Sequence, residues 1–312
     1  MITKAIVTGG AGFLGSILVD RLVDDGVEVL VVDDLSRGRL DNLAEARQRG
    51  RLTFHQIDLR DPDLVDLASR FEPQTIFHLA AQIDVRKSVE DPVLDASVNV
   101  LGTVNVLAAA RDSGAERVVF ASSGGAVYGE DAKAPTPETT KRRPASPYGV
   151  SKLVVEEYFR YFAEAHGVDY VLLGPANVYG PRQDPHGEGG VVAIFARAML
   201  DRRPITIFGD GSQTRDFVYA EDVADAFVRA ADRGGARFIN ISTGRETSVS
   251  ELVDILTPLT GYRRTPEYAA PVPGDVARSC LDPARAKRAL GWEPWTSLER
   301  GLALTVDWLR EH

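Results

Sequence analysis

The chain has 312 residues, 44% of them hydrophobic, enough to bury a sizeable core in one large domain or two smaller ones. A net charge of −9 and a pI near 5.2 argue against nucleic acid or an anionic membrane as the main partner. Cys280 is the single cysteine, which excludes an intramolecular disulfide and a cysteine zinc site; no metal is expected. The first residues lead straight into an apolar strand without a signal-peptide layout, and no apolar run approaches the roughly 20 residues that span a bilayer. A cytoplasmic protein is expected.

From residue 4 to about 174 two periods alternate. Short β-branched runs at 5–7, 29–32, 52–57, 75–79, 118–120 and 170–173 predict strands, with amphipathic helices at 13–25, 40–49, 62–71, 92–113 and 147–166 between them. Continuous apolar strands separated by helices predict a parallel sheet covered on both faces, an α/β, Rossmann-type doubly wound domain over 1–175. Past Pro175 the loop 180–187 is rich in Gly and Pro and breaks the pattern. Short strands (205–208, 215–219, 237–241) then mix with helices (191–201, 221–232, 249–260, 283–290, 297–310). The stretch 176–312 is expected to form a smaller α+β substrate-binding region rather than to continue the sheet, with elements able to interleave with the first domain.

The segment Thr8-Gly9-Gly10-Ala11-Gly12-Phe13-Leu14-Gly15 follows the first strand and opens the first helix. Glycines at 9, 12 and 15 permit a tight turn and let the backbone approach a pyrophosphate, whose charge the helix N-terminus favours. Such a motif alone is a weak signal; the strand before it, the helix after it and a well-placed acid strengthen it. Asp33 ends the second strand, eighteen residues after Gly15. There a carboxylate accepts from both hydroxyls of an adenosine ribose and repels a 2′-phosphate, so NAD is expected over NADP, with Arg37 and Arg39 near enough to soften the preference. Asp58 and Ala80-Ala81 end the third and fourth strands at the ligand-binding edge. Asp58 is either a contact to the adenine amino group or the N-cap of the helix that follows. Asn99, inside an otherwise apolar helix, is either a structural tether or a cofactor-side anchor.

Tyr148 and Lys152 are four apart at the start of the helix 147–166 and share one face. A tyrosine with a reference pKa of about 10 acts as a base only if something favours its phenolate. A lysine ammonium does so, and also donates to a nicotinamide ribose. Any Tyr-x-x-x-Lys on an amphipathic helix can equally be half-buried packing; here it follows a complete dinucleotide fingerprint. The expected chemistry is oxidation and reduction of a secondary alcohol.

Further markers run through the chain: Asp33-Asp34-Leu35-Ser36, His78-Leu79-Ala80-Ala81-Gln82, Val127-Tyr128-Gly129, Asn177-Val178-Tyr179-Gly180-Pro181-Arg182-Gln183, Gly209-Asp210-Gly211, Arg215-Asp216-Phe217-Val218 and Gly291-Trp292. By these the chain resembles the extended short-chain dehydrogenase/reductases, the NAD-dependent epimerase/dehydratase family, and within them the UDP-glucose 4-epimerases. The resemblance implies an isomerase in which NAD takes a hydride from C4 of a UDP-hexose while Tyr148 takes the 4-hydroxyl proton. The 4-keto sugar turns over and is reduced on its other face. Carried over by position, Gly9, Gly12, Phe13, Leu14, Gly15, Asp33, Asp34, Ser36, Asp58, Leu59, Leu79, Ala80, Ala81, Asn99, Ser122, Tyr148, Lys152 and Pro175 contact NAD. Ser123, Tyr148, Asn177, Gly190, Val191, Arg215, Asp275 and Arg278 hold the nucleotide sugar. The resemblance also implies a homodimer built on the helices 92–113 and 147–166, whose alternative is ordinary packing on the sheet.

Three positions depart from the family. The Ser or Thr that binds the 4-hydroxyl falls at Gly124, so Ser123, or failing it Ser122, is expected to supply the hydroxyl; alternatively both serines merely end the strand. An arginine that grips the diphosphate falls at Val272, for which Arg278 is a candidate substitute. The arginine preceding the substrate asparagine falls at Gly174. Ser279 stands where relatives carry a bulky Tyr or a small residue, and a small one leaves room for an N-acetyl group. Gly125 and Ala126 lack the acids that sugar 4,6-dehydratases and UDP-glucuronate decarboxylases use. UDP-glucuronate 4-epimerisation, with His186 near C6, and a catalytically inactive NAD-binding regulator are the alternatives.

Overall fold

The structure, a computed structural model, describes residues 2–129, 132–186, 190–235, 237–271 and 276–312. The first half runs β1 (Lys4–Thr8), α1 (Phe13–Asp24), β2 (Glu28–Asp33), a 3₁₀ turn (Leu40–Leu43), α2 (Ala44–Arg49), β3 (Leu52–Gln56), α3 (Asp63–Phe71) and β4 (Thr75–His78). Next come α4 (Val85–Glu90), α5 (Pro92–Ala96), a π-helical segment (Ser97–Leu101), α6 (Gly102–Ser113), β5 (Arg117–Ala121), α7 (Gly124–Val127), α8 (Pro147–His166) and β6 (Asp169–Pro175). The second half supplies β7 (Asn177–Tyr179), α9 (Val191–Leu200), β8 (Thr206–Phe208), β9 (Thr214–Arg215), β10 (Phe217–Tyr219), α10 (Ala220–Asp232) and β11 (Arg237–Ile241). It ends with β12 (Thr247–Ser248), α11 (Val249–Thr260), β13 (Glu267–Ala269), β14 (Arg278–Ser279), α12 (Ala284–Leu290) and α13 (Leu298–Glu311).

Seven strands pair in parallel in the order β11-β6-β5-β4-β1-β2-β3. Every residue of β2 after Glu28 is buried, which is why its sequence reads as one apolar run: both faces of the sheet are covered. Val7, Val29, Val31 and Phe77 face a core shared with α1 and α10. Their neighbours Ile6, Leu30, Val32 and Ile76 face the opposite core, with Leu64 of α3, Val106 of α6 and Phe159 of α8. The helix α8 starts where Ser146 accepts a hydrogen bond from the Gly149 amide and stops at Gly167, whose φ of 73° suits a residue without a Cβ.

Two expectations change. The strand β11 comes from the second half yet hydrogen-bonds to β6 in the main sheet, and α10 packs against α1. The second half thus continues the sheet as well as forming its own core around Tyr179, Phe195, Leu252 and Leu302, and a cut at 175 does not separate two contiguous units. Pro92–Ser113 is, among the described residues, long and apolar enough by length and composition to cross a membrane. Here it packs against α3 and α8 and buries Asp95 and Asn99, the arrangement of a core helix with a polar seam.

Candidate active site

The turn between β1 and α1 is built so closely that side chains have no room in it. A Cβ on Gly15 would stand 2.0 Å from the Gly9 carbonyl oxygen, and one on Gly9 would stand 2.6 Å from the Ala80 amide nitrogen at a φ of 70°. Gly12 caps α1 without a side-chain bond, so the first amides of a twelve-residue helix face the mouth of the turn. Asp33 lies beside it, 6% exposed, with Oδ2 accepting from the Ala11 amide at 3.0 Å and Oδ1 from the Leu35 amide at 2.9 Å. Burial pushes its carboxyl above the ordinary range, and the Leu35 and Ala11 amides pull it back. This backbone cradle with an anchored acid fits a dinucleotide: the helix end for the pyrophosphate and the remaining lone pairs of Asp33 for a ribose. The Asp34 carboxylate takes the Ser36 amide and hydroxyl at 2.8 and 2.6 Å. The Arg37 guanidinium is drawn to Asp84 at 3.3 Å.

For Asp58 the structure removes the N-cap reading. The residue does not cap α3, whose N-cap is Pro62; its carboxylate holds the Arg60 side chain and amide, which keeps it below the usual carboxylate range. Leu59 is buried against Gly102. Asn99 is a tether: its amide donates to the Gln82 carbonyl and to Asp95 Oδ1, both at 2.9 Å, and accepts from the Gln82 amide at 2.8 Å. Leu79, Ala80 and Ala81 lie on the segment it holds at the carboxyl end of β4.

Behind this edge runs a buried polar chain absent from the sequence-based reading. Thr103 Oγ1 donates to the Asn99 carbonyl at 2.6 Å, so it accepts from His78 Nε2 at 2.9 Å, and Thr8 Oγ1 donates to His78 Nδ1 at 2.8 Å. Burial, with Lys152 nearby, pulls His78 down to about 3, so the ring stays neutral and its tautomer is fixed by its neighbours.

Ser122, Ser123, Tyr148 and Lys152 come together where β5 meets α7 and α8. Lys152 is 3% exposed; its Nζ donates to the Ala121 carbonyl at 2.8 Å, lies 4.5 Å over the Phe120 ring and is 5.8 Å from the Tyr148 ring centre. Nζ is turned to the β5 carbonyl. Burial pushes Tyr148 up to about 12, opposed by a hydrogen bond with Ser123. Burial pulls Lys152 down to about 7, opposed by the Asp95 carboxylate. Ser123 is the N-cap residue of α7 and makes no side-chain cap bond. The Ser122 hydroxyl is buried and, among the described residues, has no partner.

Gly124 has a structural reason. A Cβ there would stand 2.7 Å from the Gly174 carbonyl oxygen and 2.3 Å from Leu281 Cδ1, while one on Gly174 would stand 2.2 Å from Phe238 Cζ. Two of the three departures from the family therefore belong to one close contact, filled by Phe238. A guanidinium does reach this ring, from Arg142 at 4.0 Å, which also pairs with Glu156.

On the substrate side β7 pairs with β10, setting Asn177 opposite Phe217, two residues from Arg215. Arg215 donates to the Thr214 and Val276 carbonyls at 2.8 and 2.7 Å. The strand β14 pairs with β9 so that Ser279 is beside Arg215 and Arg278 beside Thr214. Lateral partners share a face, so Arg278 points away from Arg215; it is gripped by Glu246 at 2.9 and 2.6 Å. Gly190 caps α9 ahead of Val191 and closely abuts the Gln183 amide. Pro175 ends β6, its carbonyl near Gly124. His186 lies in the loop after β7, its amide bonded to Asp184. Val272 and Asp275 lie outside the described residues.

A family model described as the NAD dependent epimerase/dehydratase family matches residues 5–242. The chain belongs to that family. Its cofactor is NAD. It is 49% identical over 308 residues to a UDP-glucose 4-epimerase of Mycolicibacterium smegmatis, covering 98% of each chain. The solved UDP-glucose 4-epimerase of Thermotoga maritima with UDP-glucose superposes with a TM-score of 0.95 at 45% identity, covering 99% of each chain. That of Thermus thermophilus in complex with NAD gives 0.89 at 41% identity, again over 99% of each. Among residues the sequence-based reading passed over, Asp95 carried a legible signal. It lies four residues before Asn99, on the same face of an apolar helix.

Proposed function

We propose that the chain is an NAD-dependent isomerase that interconverts UDP-glucose and UDP-galactose at C4. The observation that carries this reading is the cluster of Ser123, Tyr148 and Lys152 beside the glycine cradle, in a chain aligned almost end to end with 4-epimerases. Gly9, Gly12, Gly15, Phe13, Leu14, Asp33, Asp34, Ser36, Asp58, Leu59, Leu79–Ala81, Asn99, Ser122 and Pro175 form the NAD-side set. When bound, NAD supplies the acceptor and donor of the hydride at C4.

Tyr148 takes the proton of the 4-hydroxyl and returns it, Ser123 orients the phenol and that hydroxyl, and Lys152 places a positive charge behind them. Asn177, Gly190, Val191 and Arg215 hold the nucleotide sugar. The small Ser279 beside Arg215 leaves space at the sugar, which supports the N-acetylated pair as second substrates.

The protein acts as a homodimer. Val89, Val93, Leu101, Val154 and Tyr161 are exposed on α4 to α6 and α8, a run of apolar surface suited to a second copy. The lone thiol, Cys280, is buried and unpaired, which suits the cytoplasm.

Incubation of the purified protein with UDP-galactose, without added NAD, is expected to yield UDP-glucose, and Tyr148→Phe to slow this roughly 10²–10⁴-fold. No conversion, or a Tyr148→Phe variant as fast as wild type, overturns the reading. Sedimentation at micromolar concentration tests the dimer.

A further inference from the structure

We infer that Asp95 is a positioning residue of the reaction: a buried carboxylate that fixes α5 to the catalytic helix through Ser151 and so sets its charge against the turn that carries Tyr148 and Lys152. The inference rests on Tyr148 and Lys152 being the catalytic pair.

Asp95 is 1% exposed. Its Oδ2 accepts from the Ser151 hydroxyl at 2.6 Å; its Oδ1 accepts from Asn99 Nδ2 at 2.9 Å and Gln82 Nε2 at 3.1 Å. All three donors are neutral. They hold the carboxylate in place without bringing an opposite charge to it. Ser151 immediately precedes Lys152, so the bond joins the carboxylate to the turn of α8 that carries both Tyr148 and Lys152.

Among the described residues, the surroundings of Lys152 offer little else. From β5 it meets the Ala121 carbonyl and the Phe120 ring, and from β4 the neutral His78. From its own helix it meets Tyr148; α7 is Gly-Gly-Ala-Val, and α4 offers Ser88, which accepts from the Tyr148 amide at 3.2 Å. The charged residues of α6, Arg111 and Asp112, pair with each other on its exposed last turn. A lysine buried among these groups loses its proton readily; the field of Asp95 opposes that loss. The same field opposes ionisation of Tyr148, so one carboxylate holds both members of the pair in their protonated forms to higher pH.

The sign follows. Removing the charge lowers both titrations, so the whole pH profile moves toward acid. The experiment compares kcat/KM for UDP-galactose against pH in wild type, Asp95→Asn, Asp95→Glu and Ser151→Ala. Tyrosinate absorbance, titrated against Tyr148→Phe, gives a readout independent of turnover. Asp95→Asn is expected to shift both limbs down by about one pH unit, to keep its peak rate within about tenfold, and to lower the Tyr148 titration. Asp95→Glu is expected to restore the wild-type profile. A uniform loss at every pH with an unmoved phenol titration overturns the inference and leaves Asp95 a structural tie. Should Asp95→Asn not fold, Ser151→Ala decides: it removes the bond that holds the carboxylate against α8, so both limbs move toward acid as in Asp95→Asn but by less, and no movement or an alkaline shift overturns the inference. Failure of the catalytic-pair reading shows up separately, as an active Tyr148→Phe enzyme.

Discussion

Restoring the family's hydroxyl at position 124 should harm this protein. On the sequence alone Gly124→Ser looks like a repair. In the structure its Cβ would stand 2.7 Å from the Gly174 carbonyl oxygen, 3.2 Å from that of Pro175 and 2.3 Å from Leu281 Cδ1. Leu281 can turn, but the two carbonyls belong to β6, which is paired on both sides by β5 and β11 and cannot retreat alone. Overpacking of this kind costs about 1–3 kcal/mol. The gain from replacing glycine in the first turn of α7 is about 0.5 kcal/mol and does not offset it. The net loss, about 0.5–2.5 kcal/mol, lowers Tm by roughly 1–4 °C in a chain of this length. It would also push Ser123 away from Tyr148, so turnover should fall with stability. The assays are thermal and urea unfolding, together with UDP-galactose turnover, for Gly124→Ser, Ser123→Ala and the double variant. If Gly124→Ser is as stable as wild type, or restores the rate of Ser123→Ala, the packing argument is wrong.

Three other outcomes are expected. Ser123→Ala alone should reduce kcat by about 10²-fold with an unchanged melting curve, while Ser122→Ala should leave kcat near wild type; equal rates in both variants would remove Ser123 from the site. Arg215→Ala should raise KM for the UDP-sugar about tenfold or more, whereas Arg278→Ala, committed to Glu246 on the opposite face, should change it less than about threefold. His78 is held neutral with a folded value of about 3 against an ordinary 6.5, so the unfolded chain binds its proton first as pH falls. Wild type should therefore lose stability relative to His78→Asn from about pH 6.5 down toward 3, by at most about 1.4 kcal/mol per pH unit; parallel urea midpoints for the two would refute this.

Much of the site was legible because its signals are local. Val29–Val32 reads as a strand buried on both faces from composition alone, and Ser146-Pro147 with Gly167 brackets α8 at the observed ends. The glycine turn carries its own reason, since Gly9 and Gly15 crowd each other within seven residues. What escaped depends on partners distant in sequence. Gly124 looks like a lost catalytic group until Gly174, Phe238 and Leu281 are brought against it. Arg278 looks like a spare cation until strand register turns it toward Glu246. The strand at 237–241 was legible as a strand, but its place beside β6 was not, because pairing is decided by tertiary packing and not by the strand's own residues.

That last pairing has a consequence for the order in which the protein is made. During synthesis β1 to β6 emerge before residue 237, and until β11 follows, β6 presents a row of unpaired backbone groups to whatever is near. The nascent N-terminal half is thus a sheet with an open seam, closed only when its own distant segment arrives. A chain halted shortly after Pro175 keeps the glycine turn and the Tyr148 helix, yet carries an adhesive edge that invites pairing with a neighbouring copy.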